Sequence, residues 1–184
     1  MSSPKRPALE RKTAAADLSG IDGEGVFSGY ASLFGVPDLS GDVVAPGAFS
    51  RSIAARRPTG IRMLYQHDPA EPIGAWIDIR EDERGLFVRG RLALEVARAS
   101  EVASLMRAGA LDGLSIGFRT VKARSDRATG LRRLTEIDLW EISVVTFPMQ
   151  PEARVQGVKA KPAPARLAQR LRKAAETLKQ RNPR

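Results

Sequence analysis

The sequence predicts a mostly β fold with peripheral helices (α+β). The expected architecture is a mostly antiparallel sheet of about six or seven strands, an antiparallel β-barrel closed or curled. Three observations lead there. Between residues 26 and 148, strand-like runs alternate with dense turn signals rich in Gly, Pro and Asp. Only two segments of that span read as helices, too few and too irregularly placed to cover both faces of a doubly wound parallel sheet. Hydrophobic residues make up 42% of the 184, enough for one core of ordinary size, and no apolar run is long enough to cross a bilayer.

Taken in order, residues 1–24 mix polar, charged and small residues and read as a flexible N-terminal segment. VFSGYASLF, from Val26, alternates as a strand, and PDLSGDVVAPGAF is dense in turn formers. AFSRSIAARR reads as a short helix ended by Pro58. IRMLYQH is expected as a strand with Ile61, Met63, Tyr65 and His67 on one face, and DPAEP as the turn after it. IGAWIDIRED and GLFVRGRLAL read as two strands joined around Glu83, Arg84 and Gly85. A helix over roughly 97–109 is expected, with Ser100 as N-terminal cap, Val102, Leu105 and Met106 on one stripe, and Gly109 as its stop. LDGLSIGFRTVKAR is a strand starting near Gly113, and LRRLTEIDL with WEISVVTF forms one or two more, closed by Pro148.

Charge divides the chain. Of its 30 Lys/Arg and 21 Asp/Glu, residues 1–150 hold a nearly balanced set, and residues 151–184 hold almost all of the net +9. KAKPAPAR reads as a Pro/Ala linker, and Leu167, Leu171, Ala174, Ala175 and Leu178 recur at helical spacing in a basic surround. Domains are therefore expected at 1–24, 25–154 and 155–184, the last a basic linker with a short amphipathic helix. Such a tail suits an acidic protein surface, nucleic acid or an anionic membrane, or simply a solvated end. There is no cysteine and one histidine, which excludes disulfides, thiolate nucleophiles and Cys- or His-rich metal sites; no cofactor or metal is expected. The N-terminus lacks the apolar stretch of a secretory signal, so the chain reads as intracellular when made.

Three residues carry candidate chemistry. His67, the only histidine, ends a predicted strand, where a rigid scaffold commonly places a catalytic group. A neutral imidazole accepts a proton near neutral pH. Ser115, 48 residues on, lies in GLSIGF, where Gly113, Ser115 and Gly117 share one strand face. That face is expected to be open to an approaching substrate backbone. Glu141 interrupts the apolar run LWEISVV. A carboxylate there needs a partner: an imidazole Nδ1–H satisfies it, and so does an arginine such as Arg119.

The blocks SGDVVAPGAF, LYQHDP, GLSIGF and EISVVTFP, in that order, resemble the prohead (capsid maturation) serine proteases of tailed bacteriophages over about residues 26–154. These are similar to the herpesvirus assembly proteases. The resemblance implies a β-barrel ringed by helices, with His67 as general base, Ser115 as nucleophile and Glu141 as the orienting acid. The herpesvirus enzymes use a second histidine as third member. This chain has none, so a carboxylate takes that place, with Asp138 as the alternative to Glu141. The oxyanion donors are expected to be backbone N–H groups, and the segment around Phe147–Gln150 is their candidate. The implied partners are the major capsid protein and scaffold as substrates, and the chain itself through autocleavage. No membrane partner is implied, and a homo-oligomer is left open. The implied place of action is the immature capsid inside the bacterial host cytoplasm, for a phage, a prophage or a gene transfer particle. The basic tail is expected to dock on acidic scaffold. The competing readings are a catalytically inactive head component and a nucleic-acid-binding module acting through the basic tail.

Overall fold

In a computed structural model, residues 21–156 are described. The chain forms eight strands and two helices in the order β1 (Val26–Leu33), β2 (Asp42–Val44), α1 (Ser50–Gly60), β3 (Arg62–Tyr65), β4 (Asp68–Glu81), β5 (Gly85–Leu92), α2 (Ala97–Arg107), β6 (Gly113–Ser125), β7 (Arg132–Val145) and β8 (Val155–Gln156). All eight strands belong to one curled sheet, ordered β2-β7-β3-β4-β5-β1-β8, with β6 on the other side of β7. The expected linker and amphipathic helix after residue 158 lie outside the described residues.

Most pairings are antiparallel, as the turn spacing implies, but β7 takes β2 and β3 as parallel neighbours. These two parallel pairings are possible because α1 and the long β4–β6 stretch intervene, giving the chain room to cross over. The sheet bends back on itself through residues 153–156. Tyr30 N–H donates to Arg154 O, Leu114 N–H donates to Ala153 O, and β8 pairs with β1. The core is filled by Phe27, Phe49, Met63, Ile73, Leu114, Leu139 and Ile142, among others, each almost fully buried. Phe27 and Trp76 meet edge to face at 5.7 Å.

Local chemistry explains where the elements differ from the pattern reading. Order begins before Val26: Ile21 is buried and bridges to Phe27, and Asp22 Oδ1 accepts the N–H groups of Glu24 and Val26. At α1 the cap is borrowed from a neighbouring strand, Glu81 accepting from Phe49 N–H and from Ser50 Oγ. Pro58 breaks the helix at Arg57, which sits at φ 56°, and one further turn follows. Ser100 does not cap α2. The helix starts three residues earlier behind Val96, with no side-chain cap, and Ser100 O accepts from Ser104 Oγ. Its buried face is Ala99, Val102, Ala103 and Met106, while Leu105 is exposed. Gly109, at φ 70°, does end it.

The largest correction concerns DPAEP. It is not the turn but the start of β4. The turn is Gln66–His67, the two residues between the paired Tyr65 and Asp68. Both have positive φ, 53° and 61°, as a type I′ hairpin turn requires. The register shifts on either side of Leu64, so that Pro69 is skipped and Pro72 sits opposite Leu64 at an irregularity where a ladder tolerates proline. His67 therefore does not share a strand face with Ile61, Met63 and Tyr65; it projects from the hairpin.

Candidate active site

Strand β7 is the scaffold of the site. It lies between β6, where Ser115 faces Ser143 and Gly117 faces Glu141, and β3, where Arg62 faces Glu141 and Leu64 faces Ser143. Directly opposed residues share a sheet face. Ser115, Gly117, Glu141 and Ser143 therefore form one block on one side of the sheet, and the β3–β4 hairpin delivers His67 to it.

His67 Nδ1 lies 2.6 Å from Glu141 Oε1. An ionised carboxylate only accepts, so the neutral imidazole carries its proton on Nδ1 and leaves Nε2 free as a base. The other carboxylate oxygen, Oε2, accepts from Ser143 Oγ at 2.7 Å. Two hydrogen bonds thus hold an acid that local pattern alone makes out of place. The bond to Glu141 raises the His67 pKa above its ordinary value, partial burial works against this, and the carboxylate's charge adds to the rise.

The hairpin that presents His67 is pinned to β7. Gln66 N–H donates to Val144 O at 3.0 Å, Gln66 Nε2 donates to Thr146 Oγ1 at 2.7 Å, and His67 N–H donates to Ser143 Oγ at 3.1 Å. Positive φ at non-glycine residues costs of order 1–3 kcal/mol each and persists only where surrounding structure enforces it. These bonds do so here.

Ser115 is 4% exposed and sits across the ladder from Ser143. No hydrogen bond joins it to His67 among the described residues. The glycine face expected to lie open beside it is occupied at Gly117. A Cβ there would meet Glu141 Cδ at 2.6 Å and Cγ at 2.8 Å. The glycine makes room for the chain's own carboxylate.

The other acid considered, Asp138, faces away toward α1. It accepts from Arg56 Nε at 3.2 Å and Nη2 at 2.8 Å and from Trp140 Nε1 at 2.9 Å, with Arg119 at 3.6 Å. The Arg56 hydrogen bond, with help from Trp140 and Arg119, holds its carboxyl below the usual range. The arginine alternative for Glu141 is thereby spent, since Arg119 pairs with Asp138. In the segment expected to hold oxyanion donors, the Gln150 side chain is committed to Leu33 N, Leu33 O and Val36 O, and Phe147 is 88% exposed. Among the described residues no group of three or more His, Cys, Asp or Glu could hold a metal.

The family described as caudovirus prohead serine protease matches residues 10–166. The chain belongs to that family. It is 35% identical over 145 residues to the prohead protease of Enterobacteria phage HK97, covering 78% of this chain and 64% of the relative. It is 30% identical over 151 residues to the prohead protease of Escherichia phage T5, covering 79% of this chain and 68% of the relative. The chain thus spans about two thirds of the length of these relatives. The solved capsid assembly protease of bacteriophage T4 superposes with a TM-score of 0.53 at 14% identity, over 65% of this chain and 80% of that one, a likeness of fold.

In this prohead protease family member the match takes in every described residue, so the His67 hairpin, Glu141 on β7 and the GLSIGF strand all lie within it. Cavities of about 300 and 270 Å³ lie between α1 and the β6–β7 hairpin and beside Pro37 and Leu131. Neither contains His67, Ser115 or Glu141. The pattern reading missed Ser143 altogether. Its signal was present, because in EISVV the residue two after Glu141 falls on the same strand face.

Proposed function

We propose that this chain is a serine endopeptidase of head maturation, cleaving scaffold or the N-terminal segment of the major capsid protein, and itself, inside the immature capsid in the host cytoplasm. The observation that carries the proposal is the 2.6 Å pairing of the chain's one histidine with Glu141, on the sheet face that also holds Ser115. Membership of the prohead protease family supports the substrate class.

The proposed mechanism is acyl transfer through Ser115. Ser115 Oγ attacks the scissile carbonyl carbon while His67 Nε2 takes its proton. The tetrahedral intermediate collapses as the same nitrogen returns that proton to the leaving amine. Water then attacks the acyl-Ser115 ester with His67 again as base, releasing the acid and restoring the serine. Glu141 keeps Nδ1 protonated and steadies the imidazolium that forms at each transfer. General-base help of this kind contributes about 10²–10⁴ in rate, and each backbone oxyanion donor on the order of 10²–10³.

The test is co-expression with the major capsid protein of the same head gene cluster. The wild-type chain shortens the capsid protein, and Ser115→Ala does not. Equal shortening by both overturns the nucleophile; shortening by neither overturns the activity.

A further inference from the structure

Ser143 is one of the fully buried polar side chains, and the catalytic scheme above gives it no part. Both of its hydroxyl roles are nonetheless used within the site. It donates to Glu141 Oε2 at 2.7 Å and accepts the His67 N–H at 3.1 Å. It therefore touches the acid through the oxygen that the imidazole does not use, and the base through its backbone. Its own backbone is fixed between Leu64 of β3 and Ser115 of β6, so it is a rigid reference point for both.

We propose that Ser143 is a positioning residue of this site: its hydroxyl fixes the rotation of the Glu141 carboxylate and the turn that presents His67, and so sets the alignment of Nδ1 with Oε1. The inference rests on the proposed protease reading for its consequence in catalysis, but the geometry it concerns exists without substrate. Ser143 is not a rival nucleophile, because it is fully buried and its proton is already given to Glu141.

A carboxylate held at one oxygen only can swing about its terminal torsion, which is broad and weakly restrained. Tying Oε2 removes that freedom. The His67 N–H is the second contact. In a two-residue hairpin with positive φ at both residues, that N–H points away from the short turn and needs a partner, and Ser143 Oγ supplies it. Loss of the hydroxyl loosens the acid and the hairpin together. The charged group facing the imidazole is Glu141 on β7. Arg62, opposite Glu141 on β3, is turned to Thr59 O, and Asp68 on β4 caps Ala70 N–H.

The chain's single histidine makes the test direct, provided no histidine tag remains. The His67 imidazole is titrated by NMR in Ser115→Ala, which cannot digest itself, and in the Ser115→Ala, Ser143→Ala double variant. The expected result is a midpoint displaced downward by several tenths of a pH unit in the double variant, as the imidazole loses its aligned carboxylate. In otherwise wild-type protein, Ser143→Ala should lower kcat/KM for a capsid-derived peptide by about 10- to 100-fold, the range of a lost charge-assisted hydrogen bond. The acid limb should move down with the NMR midpoint, and KM should stay nearly unchanged. Ser143→Thr, which keeps a hydroxyl, should keep the midpoint. Ser143→Cys, similar in size but a weak donor, should behave as alanine does and serves if alanine does not fold. A lowered melting temperature with the midpoint and acid limb unmoved overturns the proposal and leaves Ser143 as packing. Absence of cleavage by the wild-type chain overturns the protease reading alone, since the titration needs no substrate.

Discussion

Replacing Gly117 with alanine should abolish most activity through one methyl group. An ideal Cβ at residue 117 lies 2.6 Å from Glu141 Cδ and 2.8 Å from its Cγ. Nonbonded carbons settle at about 3.5–4.0 Å, so the carboxylate must retreat by about 1 Å. Its bond to His67 Nδ1 is 2.6 Å long; a retreat of that size stretches it to about 3.6 Å, outside hydrogen-bonding range. A misplacement of about 1 Å in a catalytic group costs on the order of 10²-fold in rate. The expected fall in kcat/KM for a capsid-derived peptide is therefore about 10² or more. Stability gives an independent sign. In an open strand, Gly→Ala stabilises by roughly 0.5–1 kcal/mol, whereas overpacking costs about 1–3 kcal/mol. Urea unfolding in the Ser115→Ala background should show destabilisation by Gly117→Ala, relieved when Glu141→Ala is added while activity stays lost. Kinetics within threefold of wild type, or a gain in stability from Gly117→Ala alone, would refute the claim that Gly117 exists to admit the carboxylate.

The pH profile follows from the pairing of His67 with Glu141. The hydrogen bond to Glu141 raises the His67 pKa above about 6.5, and under the proposed mechanism His67 must be neutral to act. The acid limb of kcat/KM should thus lie above pH ~6.5, and Glu141→Gln should move it down while lowering the plateau. The linkage sign for stability is opposite: the ion pair helps the fold fully below the unfolded pKa of about 6.5 and loses that help as pH rises through the higher folded value. Urea midpoints of Ser115→Ala and Ser115→Ala, Glu141→Gln should therefore differ more at pH 5.5 than at pH 9. Gln150→Ala strips the buried Leu33 N–H and two nearby carbonyls of their partner, and should destabilise by about 1–3 kcal/mol in urea unfolding. Phe147, 88% exposed and next to the Thr146 that holds Gln66, should tolerate alanine with an unchanged melting temperature. A severalfold rise in KM for protein substrate is the expected effect, measured by initial rates.

Much of the architecture was readable from residue patterns because the strands are long and bounded by Gly and Pro. VFSGYASL, GLFVRGRL and the GLSIGF strand fall where alternation puts them. What escaped the pattern was set by partners distant in sequence. DPAEP carries the strongest local turn signal of its region, yet the turn is Gln66–His67, which lacks the Asn-Gly, Asp-Gly or Gly-Gly pair such a turn favours. Bonds from Val144, Thr146 and Ser143, some 76 to 80 residues away, impose it. Ser100 resembles a cap, but α2 packs through Ala99 and Ala103, whose short side chains carry little periodic signal. In the site, Glu141 was conspicuous because an acid breaks an apolar run, while Ser143 was not, since a serine in a strand is unremarked by any pattern. In the sequence, Gly117 stands out only for its lack of a side chain. What fills the vacancy is a residue that becomes its neighbour only when β6 and β7 pair.

The placement of the site on β7 couples its survival to that of the whole sheet. Glu141 and Ser143 are flanked on both sides by paired strands and lie among side chains with no solvent contact, such as Leu139, Ile142 and Val144. Such a strand opens in amide exchange only with global unfolding. The acid and its serine clamp therefore cannot melt locally while the domain stays folded. Only the His67 hairpin is at the periphery. Graded damage by heat or denaturant should consequently reach the site first through that hairpin, and otherwise leave the acid and its serine clamp intact until the domain unfolds.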